Sequence, residues 1–165
     1  LLKDHHGCSA TFNDNVPTQD YFNELRRVSN HQIIWGANNF GLPPTEYFCI
    51  WDKMQPMDNF ASAEYAWCSP SLKMPAKVFR YSIMQHNADT KKIHPTQKPI
   101  KLYQWLLQTY AMESDRVLDT HLGSGSSAIA AHYFGCDFVG LEIDPAFYAS
   151  AVKRFDEQTK QSAMF

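Results

Sequence analysis

At 165 residues the chain is long enough for one domain with a real core, and a content of 44% hydrophobic and 14% aromatic residues excludes a disordered polymer. The formal net charge of −2 gives no support to a globally basic nucleic-acid binder. No run reaches the length of a membrane span, and the opening Leu1-Leu2-Lys3-Asp4-His5-His6 lacks the apolar stretch of a signal peptide, so a soluble, cytoplasmic protein with no membrane partner is expected.

In chain order, residues 1–17 show no periodicity and are expected to be irregular. His5, His6 and Cys8 lie in this stretch and read as a tail, so no metal site is expected. Thr18 is placed to cap a helix to about Val28 that sets Tyr21, Phe22, Leu25 and Val28 on one face. A short strand, Gln32-Ile33-Ile34-Trp35, stops at Gly36 and the pair Asn38-Asn39. Pro43-Pro44 precedes a second strand over Tyr47 to Trp51, and a third is expected over Glu64 to Cys68, antiparallel to it. A fourth strand is expected from Lys77 to Ile83.

Pro99 suits the first position of a helix running to about Met112, with Leu102, Tyr103, Leu106, Leu107 and Tyr110 as its apolar face. Then come a strand at 116–119, a helix at 125–134 stopped by Gly135, a strand at 137–142, and a helix from Pro145 to about Glu157. Strand, helix, strand, helix with short links implies parallel pairing in this half. Cys8, Cys49, Cys68 and Cys136 form no C-x-x-C pair and read as reduced, mostly buried thiols.

The chemistry concentrates in Arg116-Val117-Leu118-Asp119-Thr120-His121-Leu122-Gly123-Ser124-Gly125-Ser126-Ser127, with Glu142 ending the next apolar run. A strand, a glycine turn opening a helix, and an acid at the tip of the next strand is how α/β proteins hold a nucleotide-like cofactor. Gly123 and Gly125 can take positive φ and let the backbone approach a ligand. Asp119 and Glu142 can accept hydrogen bonds from hydroxyl or amino groups. Charge is also unevenly spread. From Ser71 to Lys101, Lys73, Lys77, Arg80, Lys91, Lys92, Lys98 and Lys101 face the single acid Asp89, a net +6 against −8 elsewhere. Such a stretch suits a polyanion, or is a solvated loop.

Two segments narrow the cofactor: His94-Pro95-Thr96-Gln97-Lys98-Pro99, and the string from Val117 to Glu142. In this order they resemble the beta class of DNA amino-methyltransferases, particularly the short type common in phages. Gln32 to Phe40, Ile50-Trp51-Asp52-Lys53 and Ala63-Glu64-Tyr65-Ala66-Trp67 are similar to that type as well, so the likeness runs from about Asn13 to Phe155.

The resemblance implies a Rossmann-like α/β methyltransferase fold, a circularly permuted mixed sheet flanked by helices, over a single domain 1–165. It implies S-adenosylmethionine as methyl donor and the exocyclic amino group of adenine (N6) in double-stranded DNA as acceptor, in the setting of restriction–modification. A homodimer is compatible with it. Carried over by position, Asp119, His121, Gly123, Ser124 and Gly125 line the cofactor, Glu142 accepts from its ribose, and Thr96 and Lys98 hold its carboxylate. His94 and the flanking prolines shape their loop. Residues 71–98 are the expected DNA-contacting loop region, with Lys73, Lys77, Lys91 and Lys92 as contacts. Trp35, Asn38 and Asn39 are placed to line the substrate pocket.

The family's catalytic D-P-P-Y run is not in the chain, so no catalytic residue is assigned. Leu42-Pro43-Pro44-Thr45 lacks the acid and the aromatic. Asp144-Pro145-Ala146-Phe147 reads as a helix cap followed by a first-turn proline. The N-terminal strands of the family, the D-P-P-Y strand among them, are expected to be missing. A cofactor- or DNA-binding relative without catalysis, a cytosine-N4 acceptor and an NAD-dependent oxidoreductase are the alternatives. The last rests on Gly123 to Ala128 matching G-x-G-x-x-A, and Asp119 opposes it by repelling a pyrophosphate.

Overall fold

The structure, a computed structural model, describes residues 16–160; His5, His6 and Cys8 lie outside the described residues. Helix α1 (Gln19–Val28) follows Thr18, whose hydroxyl makes no capping bond. Phe22 carries the burial of its apolar face, while Val28 at the far end stays exposed.

Strands β1 (Ile33–Trp35), β2 (Phe48–Asp52), β3 (Ala63–Cys68) and β4 (Lys77–Arg80) form one sheet in the order β1-β3-β2-β4. β3 is antiparallel to β1 and to β2, and β4 is parallel to β2. The carboxyl ends of β1, β2 and β4 and the start of β3 therefore share one edge. That edge is where α/β sheets present ligand-binding groups.

β4 is shorter than the alternation of apolar residues suggests. The Tyr81 amide still bonds the Asp52 carbonyl (3.1 Å), but the Ile83 amide turns back to the Lys53 carbonyl (2.8 Å). A seven-residue helix, α2 (Ile83–Asp89), starts there behind Ser82. The expected loop region 71–98 thus contains β4, α2 and the end of a 3-10 turn at Pro70–Leu72. The sequence hides α2 because Tyr81 and Ile83 continue the two-residue period of a strand.

Helix α3 (Ile100–Tyr110) begins one residue after Pro99, which takes the cap position. β5 (Arg116–Asp119), α4 (Ser126–Phe134), β6 (Asp137–Gly140) and α5 (Pro145–Lys160) follow, with β5 and β6 parallel in register Asp119↔Gly140. β6 ends two residues before Glu142, although the Leu141 amide still bonds the Asp119 carbonyl at 2.8 Å. Gly135 (φ +87°) ends α4, its amide returning to the Ala131 carbonyl.

The sheet is mixed and flanked by helices, as expected, and is hydrogen-bonded in two parts, the four-stranded mixed one and a two-stranded parallel one. Among the described residues β1 and β5 each have one hydrogen-bonded neighbour, and side-chain packing on α3 joins the halves. Leu106 is buried with Cys49, Ala66 and Cys68, whereas Leu107 is buried with Ala130 and Ala131. Consecutive helical residues point about 100° apart, so adjacent leucines serve different clusters. Tyr103 touches both.

Cys49 and Cys68 are buried free thiols with sulfurs 3.5 Å apart, and Cys136 is a partly buried one. No helix among the described residues is long and apolar enough to cross a membrane.

Candidate functional site

The glycine turn is built around two carboxylates. Gly123 (φ +52°) and Gly125 (φ +73°) adopt the left-handed conformation that side chains disfavour. A Cβ on Gly125 would lie 3.3 Å from the Cβ and carbonyl oxygen of Ala151, so α4 and α5 leave no room for one. The Gly123 amide donates to Glu142 Oε2 at 2.8 Å and the Asp144 amide to Glu142 Oε1 at 3.0 Å. Asp119 Oδ1 accepts the His121 amide at 3.0 Å, and Asp119 Oδ2 accepts the buried Ser127 hydroxyl. Each carboxylate oxygen has a second lone pair, so both acids keep acceptor capacity for a ligand. The His121 ring is held at the surface by Thr120 (3.1 Å), whose hydroxyl meets Tyr21 of α1 at 2.7 Å.

Ser124 is turned inward. Its side chain is buried, and its hydroxyl lies 3.1 Å from that of Ser126. Arg154 of α5, 8% exposed, donates to the Ser124 carbonyl (2.8 Å) and the Ser126 hydroxyl (2.9 Å), and burial lowers its pKa. A buried arginine under the turn had no signal in the sequence, where it reads as one more charge on a terminal helix. Ile143 was also missed: beside Glu142, it is 89% exposed and offers an apolar surface at the mouth of the turn. Asp144 caps α5, as the Asp-Pro pair suggests, its Oδ1 accepting the Ala146 (2.7 Å) and Phe147 (3.1 Å) amides.

The His94–Pro99 segment packs on this turn. The His94 ring stands 4.4 Å from the ring of Phe147 and closes over Gly123, where a Cβ would meet it at 3.3 Å. Thr96 keeps its hydroxyl 3.2 Å from His94 Nδ1, and Gln97 is buried, accepting the Ile93 amide at 3.0 Å. The Lys98 carbonyl accepts the Ser126 hydroxyl (2.8 Å), while the Lys98 ammonium reaches Glu64 Oε2 on β3 at 3.1 Å. Glu64 Oε1 is held by Lys53 at 2.8 Å. Burial works to raise the Glu64 pKa, but the charges of Lys98 and Lys53 outweigh it and hold the carboxyl below its ordinary value.

Lys98 therefore ties the carboxyl edge of β5 to the carboxyl edge of the other sheet. α1 makes a second tie through Tyr21–Thr120 on one side and Phe22–Phe40, with ring centroids 5.5 Å apart, on the other. Asp119, Glu142, Thr96 and Lys98 thus gather about the glycine turn. Trp35, Asn38 and Asn39 lie at and just past the carboxyl end of β1, where Trp35 packs on the Cys49, Ala66, Cys68 and Leu106 cluster. Asn39 donates to the Gly36 carbonyl (3.1 Å) and both asparagines are exposed. The Trp35 indole N–H is buried without a partner among the described residues.

The four lysines expected at DNA do not form one patch. Lys91 and Lys92 are exposed beside the His94–Pro99 segment, with the Lys91 carbonyl accepting from Gln97 Nε2 (3.3 Å). Lys77 opens β4 at the opposite edge, and Lys73 precedes it by four residues. β4 and α2 separate the two pairs along the chain, β4 running from Lys77 toward the carboxyl edge and α2 preceding Lys91.

Known proteins share this fold. The crystal structure of the M1.HpyAVI–SAM complex superposes with a TM-score of 0.52 at 24% identity, over 65% of this chain and 60% of that one. The cytosine-N4-specific PvuII DNA methyltransferase gives 0.52 at 14% identity, over 70% and 55%. Both likenesses concern the fold. In sequence, the type II methyltransferase M.HinfI of Haemophilus influenzae is 26% identical over 138 residues, 66% of this chain and 38% of its own. M2.DpnII of Streptococcus pneumoniae is 24% identical over 135 residues, 67% of this chain and 50% of its own. The chain thus spans half or less of the length of these relatives. Residues 15–153 match the model of the N6_N4_Mtase family, described as DNA methylase, and the chain belongs to that family.

Proposed function

We propose that the chain binds S-adenosylmethionine in the cleft between the two carboxyl edges and serves methyl transfer to the N6 amino group of adenine in double-stranded DNA. The observation that carries this reading is the joint placement of Asp119, Gly123, Glu142 and Lys98 around one turn.

The residues fit that cofactor chemically. The positive-φ glycines let backbone approach the ligand, Glu142 has lone pairs for a cis-diol, and Ile143 offers an apolar face to a purine. Asp119 stands where a sulfonium cation gains from a nearby anion, and the Lys98 ammonium suits a carboxylate. When bound, the cofactor supplies an electrophilic methyl group. The protein's part is to orient it and to exclude water. DNA would meet the cleft through Lys91 and Lys92, which neutralise phosphates. The target base must leave the stack to reach it, and Trp35, Asn38 and Asn39 at the end of β1 would receive it.

The D-P-P-Y run that would accept hydrogen bonds from the target amino group is not among the 165 residues. That favours, as a second reading, a cofactor- and DNA-binding unit that does not transfer the methyl group by itself. Cytosine N4 is the alternative acceptor within the same chemistry.

Calorimetric titration with S-adenosylmethionine, with NAD as control, tests the cofactor. Methyl-labelled cofactor and duplex DNA, followed by nucleoside analysis, test the acceptor. N6-methyladenine is expected. N4-methylcytosine would move the assignment to the alternative acceptor, binding without transfer would favour the second reading, and binding of NAD alone would overturn the proposal.

A further inference from the structure

The ion cluster that joins Lys98 to the four-stranded sheet is unbalanced. Glu64 is one carboxylate between two ammonium groups, Lys53 Nζ at 2.8 Å and Lys98 Nζ at 3.1 Å. The lysine side chains are only 16% and 17% exposed, and that of Glu64 is 29% exposed. Half-buried charges are normally matched, because an unmatched one loses hydration without return. Here two cations share one anion and the cluster carries a surplus of +1. The other acids nearby are committed elsewhere: Asp52 pairs with Arg80 at 3.3 Å, and Asp119 accepts from Ser127 and His121.

Placement matters as much as charge. Lys53 follows the carboxyl end of β2 and Glu64 lies near the start of β3, so both stand on the ligand-binding edge. Lys53 is braced over the Trp51 ring, 5.2 Å from its centroid. The Lys98 carbonyl accepts the Ser126 hydroxyl at 2.8 Å, so the residue that carries one of the two ammonium groups is anchored at the end of the glycine turn. Each ammonium has three donors and spends one on Glu64.

We infer that Lys53 and Lys98 form a two-cation cradle for a single carboxylate of the bound ligand, with Glu64 as the positioning residue that holds both ammonium groups together. The inference rests on the cofactor reading above and deepens it: the carboxylate is that of the methionine part of S-adenosylmethionine, and Lys53, from the other sheet, is its second binding group. One carboxylate from the ligand brings the cluster to neutrality.

The test compares S-adenosylmethionine with its decarboxylated form, which keeps the sulfonium and the amino group, by calorimetry on the full chain. The wild-type protein is expected to prefer the carboxylate-bearing ligand by about a hundredfold, and Lys53→Gln to lose about tenfold of that preference while its affinity for the decarboxylated ligand holds, one charge-assisted hydrogen bond being worth roughly that factor. Lys53→Arg restores the preference if charge at this point is what matters. An equal preference in Lys53→Gln and wild type, with Lys98→Gln alone abolishing it, overturns the cradle and leaves the cofactor reading intact. No binding of either ligand by the folded wild-type chain overturns the cofactor reading itself. Should Lys53→Gln not fold, Lys53→Met, which keeps an apolar stem over the Trp51 ring without the charge, takes its place in the same comparison.

Discussion

Gly123 donates its backbone amide to Glu142 Oε2 at 2.8 Å, joining the turn after β5 to the tip of β6 before any ligand arrives. Glu142 thus fixes the glycine turn, and in the proposed reading it also accepts from the ligand. Replacement by glutamine leaves one acceptor oxygen and turns an amide nitrogen toward the amide of Gly123 or of Asp144. The lost bond costs about 1–3 kcal/mol. Glu142→Gln is therefore expected to weaken S-adenosylmethionine by at least about tenfold in a calorimetric titration. Undiminished affinity would remove Glu142 from the ligand's contacts.

Asp119 presents a related case with a different control. Its Oδ2 satisfies Ser127, which is buried, so Asp119→Ala strands a hydroxyl as well as removing a charge. Such a variant is expected to lose about 1–3 kcal/mol of stability, confusing folding with binding. Asp119→Asn keeps its carbonyl oxygen for the His121 amide and donates its amide to the Ser127 hydroxyl, which can also accept, and so isolates the charge. Its urea midpoint should stay near that of wild type while cofactor affinity falls. Equal affinity in the two proteins would exclude an electrostatic role for the acid.

The half of the chain from Ile100 onward was legible because its signals are local. Glycine at 123, 125 and 135, proline at 145 and the apolar spacing of α3 each declare a turn, a cap or a face within a few residues. The cleft was legible in composition but not in its joints. Arg154 beneath Ser124, Lys53 beside Lys98 and Cys49 beside Cys68 are contacts between distant segments, and nothing in the spacing of charged or thiol residues announces them. The placement of the basic stretch was not legible for the same reason. Its lysines are near in sequence, but Lys77 opens β4 whereas Lys91 and Lys92 follow α2.

The two left-handed glycines that flank α4 separate backbone strain from crowding. Gly135 (φ +87°) has nothing within 4 Å of an added Cβ, whereas Gly125 (φ +73°) has Ala151 at 3.3 Å. Gly135→Ala is expected to cost about 1–2 kcal/mol, the price of left-handed backbone alone. Gly125→Ala carries that cost together with displacement of α5, and is expected to exceed it and to weaken the cofactor. Chemical denaturation of the pair reads the difference, and equal losses would show that α5 yields freely.

Charge reversal tests the split of the basic stretch. Lys91→Glu with Lys92→Glu is expected to lower the salt slope of duplex DNA binding by about two phosphates' worth, roughly 0.9 per phosphate in log–log terms. Lys73→Glu with Lys77→Glu, at the far edge, is expected to leave the slope close to that of wild type. Equal effects from both pairs would mean that DNA covers both edges of the sheet.

Acid should weaken the fold through two histidines. Burial pushes His86 below its ordinary value against the pull of the Gln97 carbonyl, and Arg154 and Lys92 add to the fall. His94 is lowered first by burial and then by Lys98 and Lys92, against Glu142 and Asp144. Both are neutral in the folded protein where they would be protonated when unfolded. A depressed pKa of this kind stabilises above the unfolded value, and that contribution is lost as the pH falls through the folded one. Each histidine contributes at most about 1.4 kcal/mol per pH unit inside its window. The urea midpoint is expected to fall as the pH is lowered from about 7.5 to about 5, the range in which histidine titrates. His86→Gln, which keeps a donor for the Gln97 carbonyl, should flatten that fall. A slope unchanged by the substitution would remove His86 as a source of the acid sensitivity.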